Sequence, residues 1–177
     1  MKHNANVKVM NVALLAVLLI ATPAARASAE TEVRDTVQTV FLQLKSRDYT
    51  ALYESLPSAS RSRMSREKFT DALKRAQDMY VLERMTVGPV RVANDLAVVD
   101  TVIYGRVVSP IVTEGKIVVQ QYLVREDGKW RVATGNRGAI KRFLATNPSF
   151  ARKFPLREPR IYVKQNGNWV PLRSAAS

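Results

Sequence analysis

Residues 116–135, KIVVQQYLVREDGKWRVATG, decide the fold. Lys116 to Glu126 is a run of β-branched and apolar residues long enough for a full strand. Asp127-Gly128 then supplies a pair that tolerates positive φ and closes a tight hairpin, and Trp130 to Gly135 returns as its partner. Upstream, Leu96 to Val108 reads as a long strand, and a loop opening at Ser109-Pro110 and ending near Gly115 joins it to the first run. Before that, Tyr80 to Val92 is another β-rich stretch. Gly88-Pro89 marks a bulge or bend in it, and Ala93-Asn94-Asp95 forms the turn that follows. The expectation is an antiparallel meander.

The chain N-terminal to the meander has a different period. In residues 32–46, EVRDTVQTVFLQLKS, the residues Val33, Val37, Val40, Phe41 and Leu44 mark one face of an amphipathic helix. Asp48 is placed to cap a short second helix over Tyr49 to Leu56. Pro57 and Ser58 to Arg63 read as a loop. Ser65 caps a third helix from Arg66 to about Ala76 that offers Phe69, Ala72, Leu73 and Ala76 to a core. Helices followed by an antiparallel sheet make the fold class α+β. Downstream, residues 137–160 read as a lightly structured extension: Arg137 to Ala145 suits a short helix, while Pro148, Pro155 and Pro159 limit regularity beyond it. A last hairpin, Arg160 to Lys164 and Asn168 to Leu172, flanks Asn166-Gly167, and Pro171 fits an edge strand.

The first residues have the parts of an export signal. Lys2 and Lys8 precede an apolar core from Met10 to Ile20, Thr22-Pro23 interrupts it, and Ala27-Ser28-Ala29 offers small residues for cleavage. The core is shorter than the roughly 20 residues a membrane span needs, although an uncleaved anchor remains the alternative. The expected division is a signal peptide over 1–29, a domain over 30–136 and a basic extension with a terminal hairpin over 137–177. The chain carries a formal charge of +13, which becomes +10 when Lys2, Lys8 and Arg26 leave with the leader. From Gly128 onward there are many basic residues and one acid, Glu158. Outside the cytoplasm such a surface suits an anionic envelope component or an acidic protein, or acts only as solubilising charge. No motif supports nucleic-acid binding.

Cysteine is absent, and the single histidine, His3, lies in the leader. A mature chain without either cannot run a Ser-His-Asp or Cys-His mechanism or build the usual zinc site. No phosphate loop, dinucleotide fingerprint or calcium loop is present, so no cofactor and no metal are expected.

Three stretches resemble the nuclear transport factor two-like (cystatin-like) superfamily. They are Lys45-Ser46-Arg47-Asp48-Tyr49, Met64-Ser65-Arg66-Glu67-Lys68-Phe69, and the hairpin Tyr122 to Val132. The resemblance covers about residues 32–136. It implies a cone in which N-terminal helices pack on a curved antiparallel sheet, here with a C-terminal extension and hairpin. Its members include isomerases, dehydratases, small-molecule carriers and protein-interaction modules, with the chemistry of the enzymes in the mouth of the cone, and many pair through the sheet as homodimers. The dehydratase type uses a His-Asp pair, which a mature chain lacking histidine does not have. An isomerase-type site would need an Asp base beside a phenolic donor.

Asp100, mid-strand between apolar neighbours, is the candidate base, with Tyr104 or Tyr122 as donor; the plainer reading has it facing outward or paired with an arginine across the sheet. Gln120 and Gln121 are adjacent, so one faces each side of the sheet, and Gln120, Tyr80, Tyr104 and Tyr122 join Asp100 as pocket candidates. Arg137, Lys141, Arg142, Arg152 and Lys153 are the candidates for an anionic surface. Trp130 reads as core; Trp169 either docks on its own domain or meets a membrane interface or carbohydrate. The expectation is a non-catalytic exported binding or interaction module, taking an envelope component or a small ligand in the cone, with an Asp100-based isomerase as the alternative.

Overall fold

The computed structural model describes residues 23–109, 112–133 and 137–172, with the side chains of 23–25 left aside. The apolar run from Met10 to Ile20, expected to be the core of an export signal, the end of the hairpin strand at Gly135 and residues 173–177 lie outside the described residues. Helices α1 (Pro23–Lys45), α2 (Tyr49–Glu54), α3 (Ser58–Arg61) and α4 (Arg66–Gln77) precede strands β1 (Tyr80–Ala93), β2 (Leu96–Val107), β3 (Thr113–Glu126) and β4 (Lys129–Val132). Then come α5 (Arg137–Ala145), α6 (Pro148–Lys153), β5 (Arg160–Gln165) and β6 (Asn168–Pro171).

Local chemistry sets the helix ends. α1 closes with the Asp48 N–H on the Gln43 carbonyl and the Arg47 N–H on the Leu44 carbonyl, Arg47 itself taking φ 62°. This is a Schellman closure, and it satisfies carbonyls the helix would otherwise leave open. The Asp48 carboxylate then accepts the Ala51 N–H at 3.0 Å to start α2, and Ser65 accepts from Lys68 N–H to start α4.

The sheet is antiparallel throughout, in the order β1-β2-β3-β5-β6, with β4 also on β3. β1 slips register between Leu82 and Arg84 and again between Val87 and Val90, the second slip at Gly88-Pro89. From α1, the Arg34 guanidinium donates to the Val87 and Gly88 carbonyls at 3.0 and 3.3 Å and holds that bend. Asp127 and Gly128 take φ 50° and 73°, and Asn166 and Gly167 take 48° and 81°, the left-handed pairs that two-residue hairpin turns require. β3 is the axis of the sheet. One of its edges pairs with β2 along its length; the other is divided, with Gly115–Val118 on β5 and Leu123–Glu126 on β4.

Both faces of the sheet are packed. On one face, Val33 and Val37 of α1 sit with Ala97, Val99, Leu123, Trp130 and Val132. On the other, Val98 and Tyr122 meet Ile140 and Leu144 of α5 and Phe150 of α6. Phe150 stands 6.4 Å from the Tyr122 ring and 5.0 Å from Phe154.

Several expectations need correction. Residues 58–61 form the short helix α3 where a loop was expected, α1 starts at Pro23 and runs through Ala27–Ala29, and α2 ends two residues early. The segment 137–160 is not lightly structured. Pro148 takes the first turn of α6, where a missing N–H costs nothing, and of the aromatic side chains that follow Phe150 is buried and Phe154 partly buried. Residue 136 is therefore no packing boundary: Ile140, Leu144 and Phe150 complete a core whose other half is the sheet. The terminal hairpin is not separate either, because β5 pairs with β3.

Candidate functional site

Strand alternation sorts the candidate residues. Asp100 pairs in register with Gln120 and Val98 with Tyr122, so Asp100, Gln120 and Tyr122 share the face packed by α5 and α6. Gln121, one residue along, is buried on the α1 face and donates to the Thr101 hydroxyl at 3.3 Å.

Both oxygens of Asp100 are hydrogen-bonded. Its Oδ2 accepts from Arg91 Nη2 at 2.8 Å and its Oδ1 from Gln120 Nε2 at 3.2 Å. Gln120 Oε1 in turn accepts from the Tyr122 hydroxyl at 2.9 Å and from the Arg157 backbone N–H at 3.2 Å. The Tyr122 hydroxyl also reaches the Pro155 carbonyl at 3.3 Å. Burial raises the Tyr122 phenol above its ordinary value, an effect that Arg157 and Arg91 oppose and Asp100 reinforces. This relay anchors residues 155–157 to the sheet and gives each oxygen of the Asp100 carboxylate one partner.

Two adjoining cavities lie beside α1. One, of about 240 Å³, is walled on the α1 side by Val40, Phe41, Leu44, Met85, Ile103 and Val119 and reaches round the edge of β3 to Gln120, Ile140 and Leu156, with Gln121 also at its wall. Arg137 and Glu158, paired at 2.6 Å, and Arg157 also border it. A second, of about 340 Å³, adjoins it through the shared walls Leu44 and Ile103 and continues past Tyr80, Leu82, Ile117, Ile161 and Leu172. Burial raises the Tyr80 phenol above its ordinary value, with a smaller contribution from Tyr49.

Of the pocket candidates, the structure therefore brings Tyr80 and Gln120 to a cavity wall, Gln120 from the same face as Asp100 and Tyr122, while Asp100, Tyr104 and Tyr122 line neither cavity. Tyr104 points to the face opposite α1, with the Arg84 guanidinium 3.4 Å from its ring centre. The apolar wall residues Ile103, Ile117, Val119 and Ile161 were not singled out from sequence. Alternation marks them as one face, but only the pairing of β3 with β5 shows that the face continues past the end of α1.

The basic candidates are spread over two helices. Arg137 is bound to Glu158 at the cavity mouth, while Lys141, Arg142, Arg152 and Lys153 are exposed on α5 and α6. Arg142 also borders a separate recess of about 300 Å³ with Arg63, Met64 and Phe69. Trp130 is buried, and Trp169 is half-buried with its ring 6.3 Å from Tyr104.

No family model and no curated protein matches the chain. Solved structures similar to it include a SEC-C motif containing protein from Rhodopseudomonas palustris, 10% identical over 57% of this chain and 74% of that one, at a TM-score of 0.47. A protein of unknown function from Mycobacterium tuberculosis is 13% identical over 64% of this chain and 73% of that one, at 0.46. An NTF2-like protein with a cystatin-like fold from Novosphingobium aromaticivorans is 16% identical over 69% and 97%, at 0.40. The chain's own geometry, helices first and then a six-stranded antiparallel sheet with α1 laid across one face, is the α+β architecture that the resemblance to the nuclear transport factor two-like superfamily implies.

Proposed function

We propose that this chain is an exported, non-catalytic binding module that takes an elongated apolar small molecule between α1 and the sheet. The observation that carries the reading is the pair of adjoining cavities with mainly apolar walls, about 240 and 340 Å³, joined at Leu44 and Ile103. Small-molecule sites are typically mostly apolar clefts of about 300–1,000 Å³ with a few polar groups, and the two cavities together fall in that range. An acid-base role for Asp100 is not favoured. A general base must reach its proton within about 3 Å, and Asp100 lines neither cavity, each of its oxygens already accepting one hydrogen bond, from Arg91 and from Gln120. Export rests on the leader, whose removal after Ala29 would shorten α1 but keep Val33 and Val37 on the sheet.

The test is a titration of the full chain with the neutral dye N-phenyl-naphthylamine, followed by displacement with a long-chain alcohol. Ile103→Trp, which fills the junction of the two cavities, should weaken dye binding about tenfold or more, the loss of a well-packed apolar contact. Val112→Trp, on an exposed loop, should leave it unchanged. Equal binding by wild type and Ile103→Trp would sink the reading. For export, the chain recovered from outside the cytoplasm should have a mass corresponding to Glu30 as its first residue.

A further inference from the structure

The face of the sheet opposite α1 is covered by α5 and α6 only near Val98 and Tyr122. At its other end, register aligns one row across the strands: Arg84 on β1, Tyr104 on β2, Lys116 on β3 and Tyr162 on β5. Trp169 on β6 shares this face, being paired with Lys164, two residues on from Tyr162. Cations and aromatic rings thus alternate at the strand spacing of about 4.8 Å, which puts Arg84 and Lys116 about 10 Å apart.

The contacts within the row fix the cations. The Arg84 guanidinium carbon lies 3.4 Å from the Tyr104 ring centre, and Lys116 Nζ lies 4.5 Å from Trp169 and 5.1 Å from Tyr162. Such contacts hold a charge in place without neutralising it. Among the described residues, Arg84, Lys116 and their face neighbours Arg106 and Arg160 have no carboxylate within 4.0 Å; of the acids on this face, Glu114 is taken by Lys164 at 2.8 Å and Asp100, farther along β2, by Arg91 at 2.8 Å. The same end of the sheet also exposes large apolar side chains. Val81 lies opposite Arg106, Met79 and Val108 are joined by a backbone hydrogen bond, and Val112 on the β2–β3 loop is 72% exposed.

We propose that this face docks on a bilayer surface rich in anionic phospholipid. Fixed, unneutralised cations match anionic headgroups, Trp and Tyr suit the interfacial layer, and the exposed apolar tips suit the acyl boundary beneath it. A single-stranded nucleic acid fits less well. It would need open ring faces for its bases, and Arg84 and Lys116 already occupy those of Tyr104 and Trp169.

The test uses the full chain carrying Trp130→Phe, so that Trp169 is its one tryptophan, with vesicles of neutral phosphatidylcholine or of phosphatidylcholine with phosphatidylglycerol, each with and without brominated acyl chains. Any contribution of residues 1–29 is common to all variants, so the readout is the difference between variants in the excess on anionic vesicles. Trp169 should be quenched by brominated lipid on anionic vesicles at low salt and released at high salt. Arg84→Glu with Lys116→Glu should lower the anionic excess at least about 25-fold, taking each lost charge as about a fivefold effect. Arg152→Glu with Lys153→Glu should leave it within about twofold, and circular dichroism should show both variants folded. Binding without Trp169 quenching, an equal loss in the α6 variant, or displacement of the protein from vesicles by a single-stranded oligonucleotide of the same charge would each overturn the proposal. If Arg84→Glu with Lys116→Glu does not fold, Arg84→Gln with Lys116→Gln replaces it and should show the same direction with a smaller drop.

Discussion

Arg91 and Asp100 stand on adjacent strands and meet at 2.8 Å, each with a little over a quarter of its side chain exposed. Arg91 Nε is buried without a hydrogen-bond partner, so the carboxylate is what makes the guanidinium tolerable at this position. Asp100→Ala should therefore cost about 1–3 kcal/mol, the range for a polar group left unsatisfied. A double-mutant cycle with Arg91→Ala should give a coupling of about 1 kcal/mol or more, measured by urea unfolding. Independent effects would mean the pair is a surface contact without energetic weight.

Tyr80 and Tyr122 share one sign of pH dependence. Burial raises both phenols above 10.0, so the fold favours their neutral forms. That contribution to stability is fully present below the unfolded value near 10 and is lost as pH rises through the folded values. Thermal stability should fall above pH 10, and Tyr122→Phe should reduce the fall. Tyrosinate absorbance that develops on the scale of a free phenol in the native protein would contradict this.

Gly105 sits on β2 hard against the β1 backbone. A Cβ there would lie 2.6 Å from the Val81 carbonyl oxygen, too close for any rotamer to relieve. Gly105→Ala should destabilise the protein by about 1–3 kcal/mol. Gly115→Ala, whose Cβ would first meet a Val107 methyl at 3.4 Å, should cost less. The two unfolding midpoints decide it.

Phe150 tests whether the segment after β4 is core. Truncation to alanine should cost about 3–5 kcal/mol, the cost of deleting a buried aromatic side chain. A change under about 0.5 kcal/mol, the level of a surface substitution, would mean that α6 is only laid on the surface.

Much of the architecture was readable from local chemistry. The 3.6-residue spacing of Val33, Val37 and Phe41, the caps Asp48 and Ser65, the Gly88-Pro89 bend and the two positive-φ turns are all short-range signals, and each describes an element the fold contains. What was not readable depends on pairing between distant residues. Ile140, Leu144 and Phe150 look like an amphipathic fragment until Val98 and Tyr122 are placed opposite them, and three prolines obscured the fragment further. The candidate site shows the same limit. Adjacency placed Gln120 and Gln121 on opposite faces, but no local signal said which face lay under α1. Asp100 was offered as a pocket base, with pairing to an arginine across the sheet as the plainer reading, and it pairs with Arg91 on the neighbouring strand.

The divided edge of β3 also bears on how the chain reaches this fold. Val118 and its partner Arg160 are separated by α5, α6 and all the turns between them, so this pairing closes a long loop and belongs among the late events of folding. Until it forms, residues 115–122 present an open, β-branched edge beside an uncovered Val98 and Tyr122, a combination that favours intermolecular pairing. A chain stalled before β5 would therefore be an aggregation-prone intermediate, not a smaller folded protein. Refolding yield, more than final stability, should be the quantity most sensitive to the order in which the last strands arrive.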